Sequence, residues 1–173
     1  MAMDQIASLI RDIPDFPKPG IIFKDITPLL ADAAAMASVT QALAEPYRNA
    51  GITRIAGIES RGFIFGSLLA AELGCGFVPL RKPGKLPWRC RRRDYTLEYG
   101  TASLEIHEDA VGPADRVVIV DDLLATGGTM AAAATLVAEG GAQVLGLSCV
   151  IELTFLDGLR LLQHPFHALL RYP

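Results

Sequence analysis

An α/β fold, with a parallel sheet flanked by helices, is predicted by the order of the residues, and two observations predict it. From residue 52 onward short β-branched runs alternate with Ala/Leu-rich stretches, and glycines stand where those stretches end. The first unit reads as a strand from Thr53 to Ile58, a helix from about Phe63 to Leu73 stopped by Gly74, and a strand from Phe77 to Leu80. The second reads as a strand over residues 116–120, a helix from about Thr129 to Ala138 ending at Gly140-Gly141, and a strand from Gln143 to Ile151. Right-handed crossovers would set both helices against the sheet and bring the strand ends to one edge. Ahead of these units, residues 32–49 are Ala-rich with Asp32 available as an N-cap, which predicts a further helix. Between the units, residues 82–112 carry Pro83, Gly84 and Pro87, an arginine run, and alternating stretches at Tyr95 to Leu97 and Ser103 to Ile106 around Tyr99-Gly100. This predicts a long loop leading into a hairpin, the kind of segment that is either a functional lid or disordered.

At 173 residues and 51% hydrophobic, the chain is expected to form one domain, residues 1–173, around a single substantial core. A net charge of −3 argues against a protein that coats nucleic acid or an acidic membrane, since both need a basic surface. The start, Met1 to Ile6, carries an early acid and too short an apolar run for a signal peptide. No later segment reaches the roughly 18 apolar residues of a membrane span, so a soluble, cytoplasmic protein is expected. Cys75, Cys90 and Cys149 are widely spaced and odd in number, which reads as free thiols.

The most informative stretch runs from Val117 to Thr129: four buried-strand residues, the acids Asp121 and Asp122, then Leu123, Leu124, Ala125, Thr126, Gly127, Gly128 and Thr129 opening a helix. Glycines at such a turn let successive N–H groups point inward, and the helix behind adds the positive end of its dipole, which suits a phosphate monoester. Thr126 and Thr129 add hydroxyl donors. Carboxylates at the strand end lie about one sugar away, placed for ribose hydroxyls or a bound Mg2+. A Walker A loop would need Gly-Lys-Ser/Thr, and a dinucleotide fingerprint would need its glycines directly after the strand; neither fits.

This stretch resembles the phosphoribosyl pyrophosphate (PRPP) motif, residues 117–129 here, of the type I phosphoribosyltransferase family, in the form of its adenine-specific members. The resemblance runs from Phe16 to Ile151 through five ordered motifs. It implies the family's fold, with a small N-terminal hood at about 13–30 and a flexible lid at about 82–102. It also implies pentosyl transfer, with adenine and PRPP giving AMP and pyrophosphate in purine salvage, Mg2+ carried by PRPP, and a homodimer. In this reading Asp121, Asp122, Ala125, Thr126, Gly127, Gly128 and Thr129 hold the phosphate and ribose.

The segment Gly57 to Phe63, again at a strand end before a helix, is similar to the family's pyrophosphate loop, where a non-proline cis peptide is common. Glu59, Ser60 and Arg61 are its members, and Arg61 could fork onto pyrophosphate oxygens. Arg81, Lys82 and Lys85 follow the next strand on a proline-stiffened path and add cations for the departing pyrophosphate; the family uses this segment toward the neighbouring subunit. Tyr95 to Gly100 resembles the lid tip, with Glu98 matching a carboxylate that handles an adenine proton and Tyr99 the aromatic beside it. Glu98, Arg61 and Asp122 are the expected catalytic residues. Prolines at 14, 17, 19 and 28 hold the hood extended, freeing its backbone amides to read the base. The resemblance assigns that reading to the backbone of Ile22 and Lys24 and stacking to Phe23, while Phe16 and Ile21 could pack over the core. The run Arg89 to Arg93 departs from the family. It reads as a solvated lid face, with added attraction for PRPP or an RNA-binding patch as the functional alternatives. Other readings of the whole chain are a xanthine or other purine phosphoribosyltransferase, and a PRPP-sensing regulator that binds nucleic acid.

Overall fold

The computed structural model of the chain describes residues 2–97 and 100–173. Its elements in chain order are α1 (Met3–Ala7), β1 (Arg11–Pro14), β2 (Ile22–Asp25), α2 (Thr27–Ala31), α3 (Ala33–Ala44), β3 (Arg54–Ile58), α4 (Arg61–Leu73) and β4 (Gly76–Leu80). After these come β5 (Cys90–Leu97), β6 (Gly100–His107), β7 (Arg116–Leu124), α5 (Gly128–Glu139), β8 (Gln143–Leu153) and β9 (Phe166–Tyr172). Five strands form a parallel sheet in the order β4-β3-β7-β8-β9. Two antiparallel hairpins, β1-β2 and β5-β6, stand apart from it.

Strand periodicity divides the core in two. On β7, Val117 and Ile119 join Ala133, Leu136 and Val137 of α5 on one face, whereas Val118 and Val120 join Leu43 of α3 and Phe65 and Leu69 of α4 on the other. Both faces are covered, so the middle of β7, Val117 to Val120, is apolar without interruption, as in buried parallel strands. Gly74 closes α4 at φ 66°, a left-handed backbone that residues with a Cβ resist, as the sequence pattern predicts.

The order has one reversal. From β3 the chain crosses to β4 on one side, and from β7 it crosses to β8 on the other, so a crevice opens between the carboxyl ends of β3 and β7. The segments expected to hold phosphate and pyrophosphate follow those two strands.

Several expectations need correcting. The predicted helix over 32–49 ends at Ala44 and passes into a 3-10 turn, Glu45–Tyr47, because Pro46 has no N–H to continue the ladder; the Asp32 cap does form, accepting from the Ala35 N–H at 2.9 Å. The strand expected to stop at Val120 continues to Leu124 and takes both acids into the sheet, where pairing with β8 outweighs their low strand propensity. The arginine run is not loop but the first half of β5, zipped to β6 from Cys90↔His107 to Leu97↔Gly100. The uninformative carboxyl end supplies β9, a sheet strand.

Candidate active site

β7 delivers Asp121 and Asp122 to the crevice. Asp122 is 3% exposed and its Oδ2 lies 3.0 Å from Arg61 Nε. Asp121 Oδ1 accepts from the Asp122 N–H at 2.9 Å. Burial and then the neighbouring Asp122 charge push the Asp121 carboxyl well above its ordinary range. Burial likewise raises Asp122, with Arg61 opposing it.

Beyond β7 the chain turns at Gly127, φ 85°, and α5 begins at Gly128. The first N–H groups of a helix lack intrahelical acceptors, so this turn presents donors and the positive dipole end together. A cavity of 140 Å³ sits in the turn, lined by Asp121, Ala125, Thr126, Gly127 and Thr129 among others. The turn is backed by an unexpected neighbour: a Cβ on Gly127 would strike the Gly158 carbonyl, and a Cβ on Gly158 would strike the Ala125 carbonyl and come within 3.0 Å of the Gly127 nitrogen. Gly158 is thus a site residue that sequence reasoning missed, since one glycine in a loop thirty residues downstream carries no local sign of its neighbour.

Beyond β3, the Glu59–Ser60 peptide is cis and α4 starts at Arg61. Gly62 lets this turn close on β7: a Cβ there would lie 2.7 Å from the Val120 carbonyl and 3.0 Å from Asp121 Oδ1. A cavity of 310 Å³ brings together Glu59, Ser60, Arg61, Lys82, Asp121 and Asp122, with Thr129 and the hairpin residues Tyr95, Ala102 and Leu104 also on its walls. Glu59 accepts from Arg81 Nε and from the Lys82 N–H, each at 3.0 Å. Burial works to raise its carboxyl, but the Arg81 and Lys82 hydrogen bonds outweigh it and hold Glu59 below the usual range. Glu59 therefore anchors cations. Arg81 also donates to the Lys85 carbonyl at 3.2 Å. Arg61 is paired with Asp122 and lies 5.1 Å from the Phe23 ring.

The hood is the β1-β2 hairpin, not merely an extended segment. Ile22 and Lys24, two apart on β2, turn their backbone groups to one side of the ribbon and Phe23 turns to the other. Phe23 meets Phe16 edge to face at 5.2 Å. The Lys24 ammonium is occupied, 2.7 Å from Asp12 and 4.0 Å above the Tyr172 ring. Phe16 and Ile21 do not pack over the core: they are 50% and 44% exposed. Behind the hood a 600 Å³ cavity is lined by Ile21, Ile22, Lys24, Leu153, Phe155 and Tyr172 among others. The expected lid residues Glu98 and Tyr99 lie outside the described residues.

Residues 25–157 match the phosphoribosyl transferase domain family. An adenine phosphoribosyltransferase of Methylococcus capsulatus is 56% identical over 98% of this chain and 100% of its own. This chain belongs to the adenine phosphoribosyltransferase family. A solved adenine phosphoribosyltransferase from Thermoanaerobacter pseudethanolicus superposes with a TM-score of 0.96 at 52% identity, covering 99% of this chain and 100% of that one. The Saccharomyces cerevisiae adenine phosphoribosyltransferase, solved with adenine and an imino-altritol bisphosphate, superposes at 0.92 and 40% identity over 96% and 97% of the two chains. The crevice at the β3/β7 reversal is thus a feature of an adenine phosphoribosyltransferase fold. Among the described residues no helix is long and apolar enough to cross a membrane, and no three His, Cys, Asp or Glu side chains converge to hold a metal.

Proposed function

We propose that this chain joins adenine to PRPP, giving AMP and pyrophosphate, at the crevice between β3 and β7. The observation that carries the reading is the pair of anion-accepting turns at neighbouring strand ends with two carboxylates beside them: one turn for each end of a PRPP molecule. In this reading the turn Ala125 to Thr129 takes the 5-phosphate, and Asp121 and Asp122 face the ribose hydroxyls. Arg61, Arg81, Lys82 and Lys85 neutralise pyrophosphate, and Ser60 donates a hydrogen bond to it, as the bond from its oxygen to C1 of the ribose breaks. The N9 lone pair of adenine forms the new bond to C1 as the ring gives up its imidazole N–H proton, which Glu98 takes in this reading. Phe23 stacks on the base, and the backbones of Ile22 and Lys24 read its edge. The protein's contribution is chiefly position and preorganised charge.

Two carboxylates are too few donors for an all-protein cage, so a Mg2+ would arrive with PRPP, and Asp121 and Asp122 are the residues that would hold it. The ion supplies charge neutralisation on the leaving group. Lys85 is exposed and does not line the cavity of its own chain, which fits service to a neighbouring subunit; a cytoplasmic homodimer is therefore proposed as the working form. The single-domain boundaries, residues 1–173 with hood, lid and PRPP motif, belong to the same reading. The alternatives, another purine as substrate or a nucleic-acid-binding regulator, have no observation in their favour, and Arg91 and Arg93 are engaged by the protein itself.

Purified protein supplied with Mg2+, PRPP and each purine base in turn should form AMP from adenine and little nucleotide from xanthine, hypoxanthine or guanine. No AMP would end the proposal. Glu98→Gln is expected to lower turnover about 100-fold while adenine binding weakens less, as for a carboxylate that handles a proton in the transition state. A rise in Michaelis constants with intact turnover would instead leave Glu98 without that role.

A further inference from the structure

Arg91, Arg93 and Tyr95 share one face of β5, because side chains two apart on a strand point the same way. That face lies on α5. Arg91 Nη1 donates to the Glu108 carbonyl at 2.8 Å, and its Nη2 occupies the space beside Gly140, where a Cβ would meet it at 2.5 Å. Arg93 Nη1 pairs with Glu139 Oε1 at 2.9 Å. Glu139 and Gly140 form the carboxyl end of α5, the negative end of its dipole, which favours a cation. Arg91 Nε and Nη2 are buried with no hydrogen-bond partner, so the helix end offsets that charge in place of a single acceptor. Arg92, on the opposite face, pairs inside the hairpin with Asp94 and Ser103.

The other strand of the hairpin is tied to the cation-bearing loop. Glu105 and Arg81 exchange backbone hydrogen bonds of 2.9 and 2.7 Å, and the Glu105 carboxylate accepts from the Gly84 N–H at 3.0 Å. The hairpin root is therefore bonded on one side to the segment of Arg81 and Lys82, and on the other to the helix whose first turn is the phosphate loop. Further along the same two strands, Tyr95, Ala102 and Leu104 form a wall of the 310 Å³ cavity.

We propose that Arg91, assisted by Arg93, is a positioning residue that sets this wall at its working distance from α5. The proposal rests on the reading of that cavity as the ribose and pyrophosphate site. A guanidinium wedged at the root of a hairpin controls the placement of the strands beyond it, and misplacement by about 1 Å can cost about 100-fold in rate. Arg91 and Arg93 are then a bracket, while Arg89 and Arg92 of the same run stay on the exposed face.

The test is steady-state kinetics on Arg91→Ala, Arg91→Lys, Gly140→Ala and the paired control Arg89→Ser/Arg92→Ser, at about 50 and about 500 mM salt, below and above physiological screening. Arg91→Ala should raise the PRPP KM about tenfold or more at both salts and move the adenine KM far less, with Arg91→Lys recovering part of the loss. Gly140→Ala crowds the guanidinium and the neighbouring Val111 side chain without removing either and should shift the same constant in the same direction; Gly140→Ala in a Val111→Ala background, which relieves the second contact, decides the matter if Arg91→Ala does not fold. The control should match the parent. A loss of kcat that disappears when rates are scaled to the folded fraction, with both KM values unchanged, overturns the proposal. So does an effect that fades at the higher salt, or a PRPP KM that moves in neither Arg91→Ala nor Gly140→Ala. Gly128→Val separates the two readings: an unchanged PRPP KM there sinks the phosphate-loop assignment, whereas a raised one beside an inert Arg91→Ala sinks only this inference.

Discussion

Asp121 and Asp122 are adjacent carboxylates in a strand, and Arg61 is the cation paired with Asp122. Burial favours their neutral forms, so each binds protons more readily in the fold than in the unfolded chain. The sign of the consequence is the reverse of an ordinary salt-bridged acid. With the folded value above 3.8, the native state holds more protons than the unfolded one in that window, and stability falls as pH rises through it. At neutral pH the pair therefore costs stability. Asp121→Asn should raise Tm at pH 7 and flatten the decline of Tm above pH ~4, while lowering kcat/KM about tenfold or more. A lower Tm in the variant would mean that Asp121 is held by attraction that outweighs its burial. Gly158 poses the opposite problem, a residue with no chemistry whose importance is the absence of a side chain. Because a Cβ there meets the Ala125 carbonyl and the Gly127 nitrogen, Gly158→Ala should push the phosphate turn out of register and raise the PRPP KM about tenfold, with the adenine KM little changed. Equal effects on both constants would point to general disruption.

At the scale of elements, the site is made by ends. β3 and β7 stop where α4 and α5 begin, so two helix amino termini face one crevice. The opposite end of α5 receives the β5-β6 hairpin, so one helix joins the phosphate turn to the wall that carries Tyr95. The hood is a separate element, and its chemistry is separable by experiment. Phe23 packs edge to face on Phe16 and lies 5.1 Å from Arg61 of the turn before α4; if its role is to stack on the base, Phe23→Ala should raise the adenine KM about tenfold while leaving the PRPP KM within about twofold. If the PRPP KM rose instead, the ring would be acting through Arg61, and its assignment to the base would fail.

For the whole molecule, binding and stability are linked. A ligand that spans both turns binds only the folded chain, and at about 100 times its dissociation constant it stabilises by about 2.7 kcal/mol. PRPP with Mg2+ should accordingly raise Tm by several degrees, adenine alone should raise it less, and EDTA should remove most of the PRPP effect if the ion bridges the substrate to Asp121 and Asp122. An EDTA-insensitive shift would argue against that bridge. A hydrodynamic mass of twice the chain in solution, unchanged by ligand, is expected of the homodimer; a monomer active at the same rate would leave Lys85 with no role in a neighbouring site.

The sequence by itself determined the fold class, the strand–helix units and the position of the two small-residue turns that open α4 and α5, because these depend on residues close in the chain: β-branched runs, helix-ending glycines, and small residues between a strand and a helix. Resemblance carried the base-reading segment. What only the tertiary structure decided depends on residues far apart. The acids enter the sheet because β8 pairs with them. The arginine run becomes a strand because β6 lies opposite and α5 ends beneath it. Gly158 matters because its loop returns to the phosphate turn. Local propensity is a small energy beside pairing and packing, and the partners that supply those energies here stand some fifteen to fifty residues away along the chain.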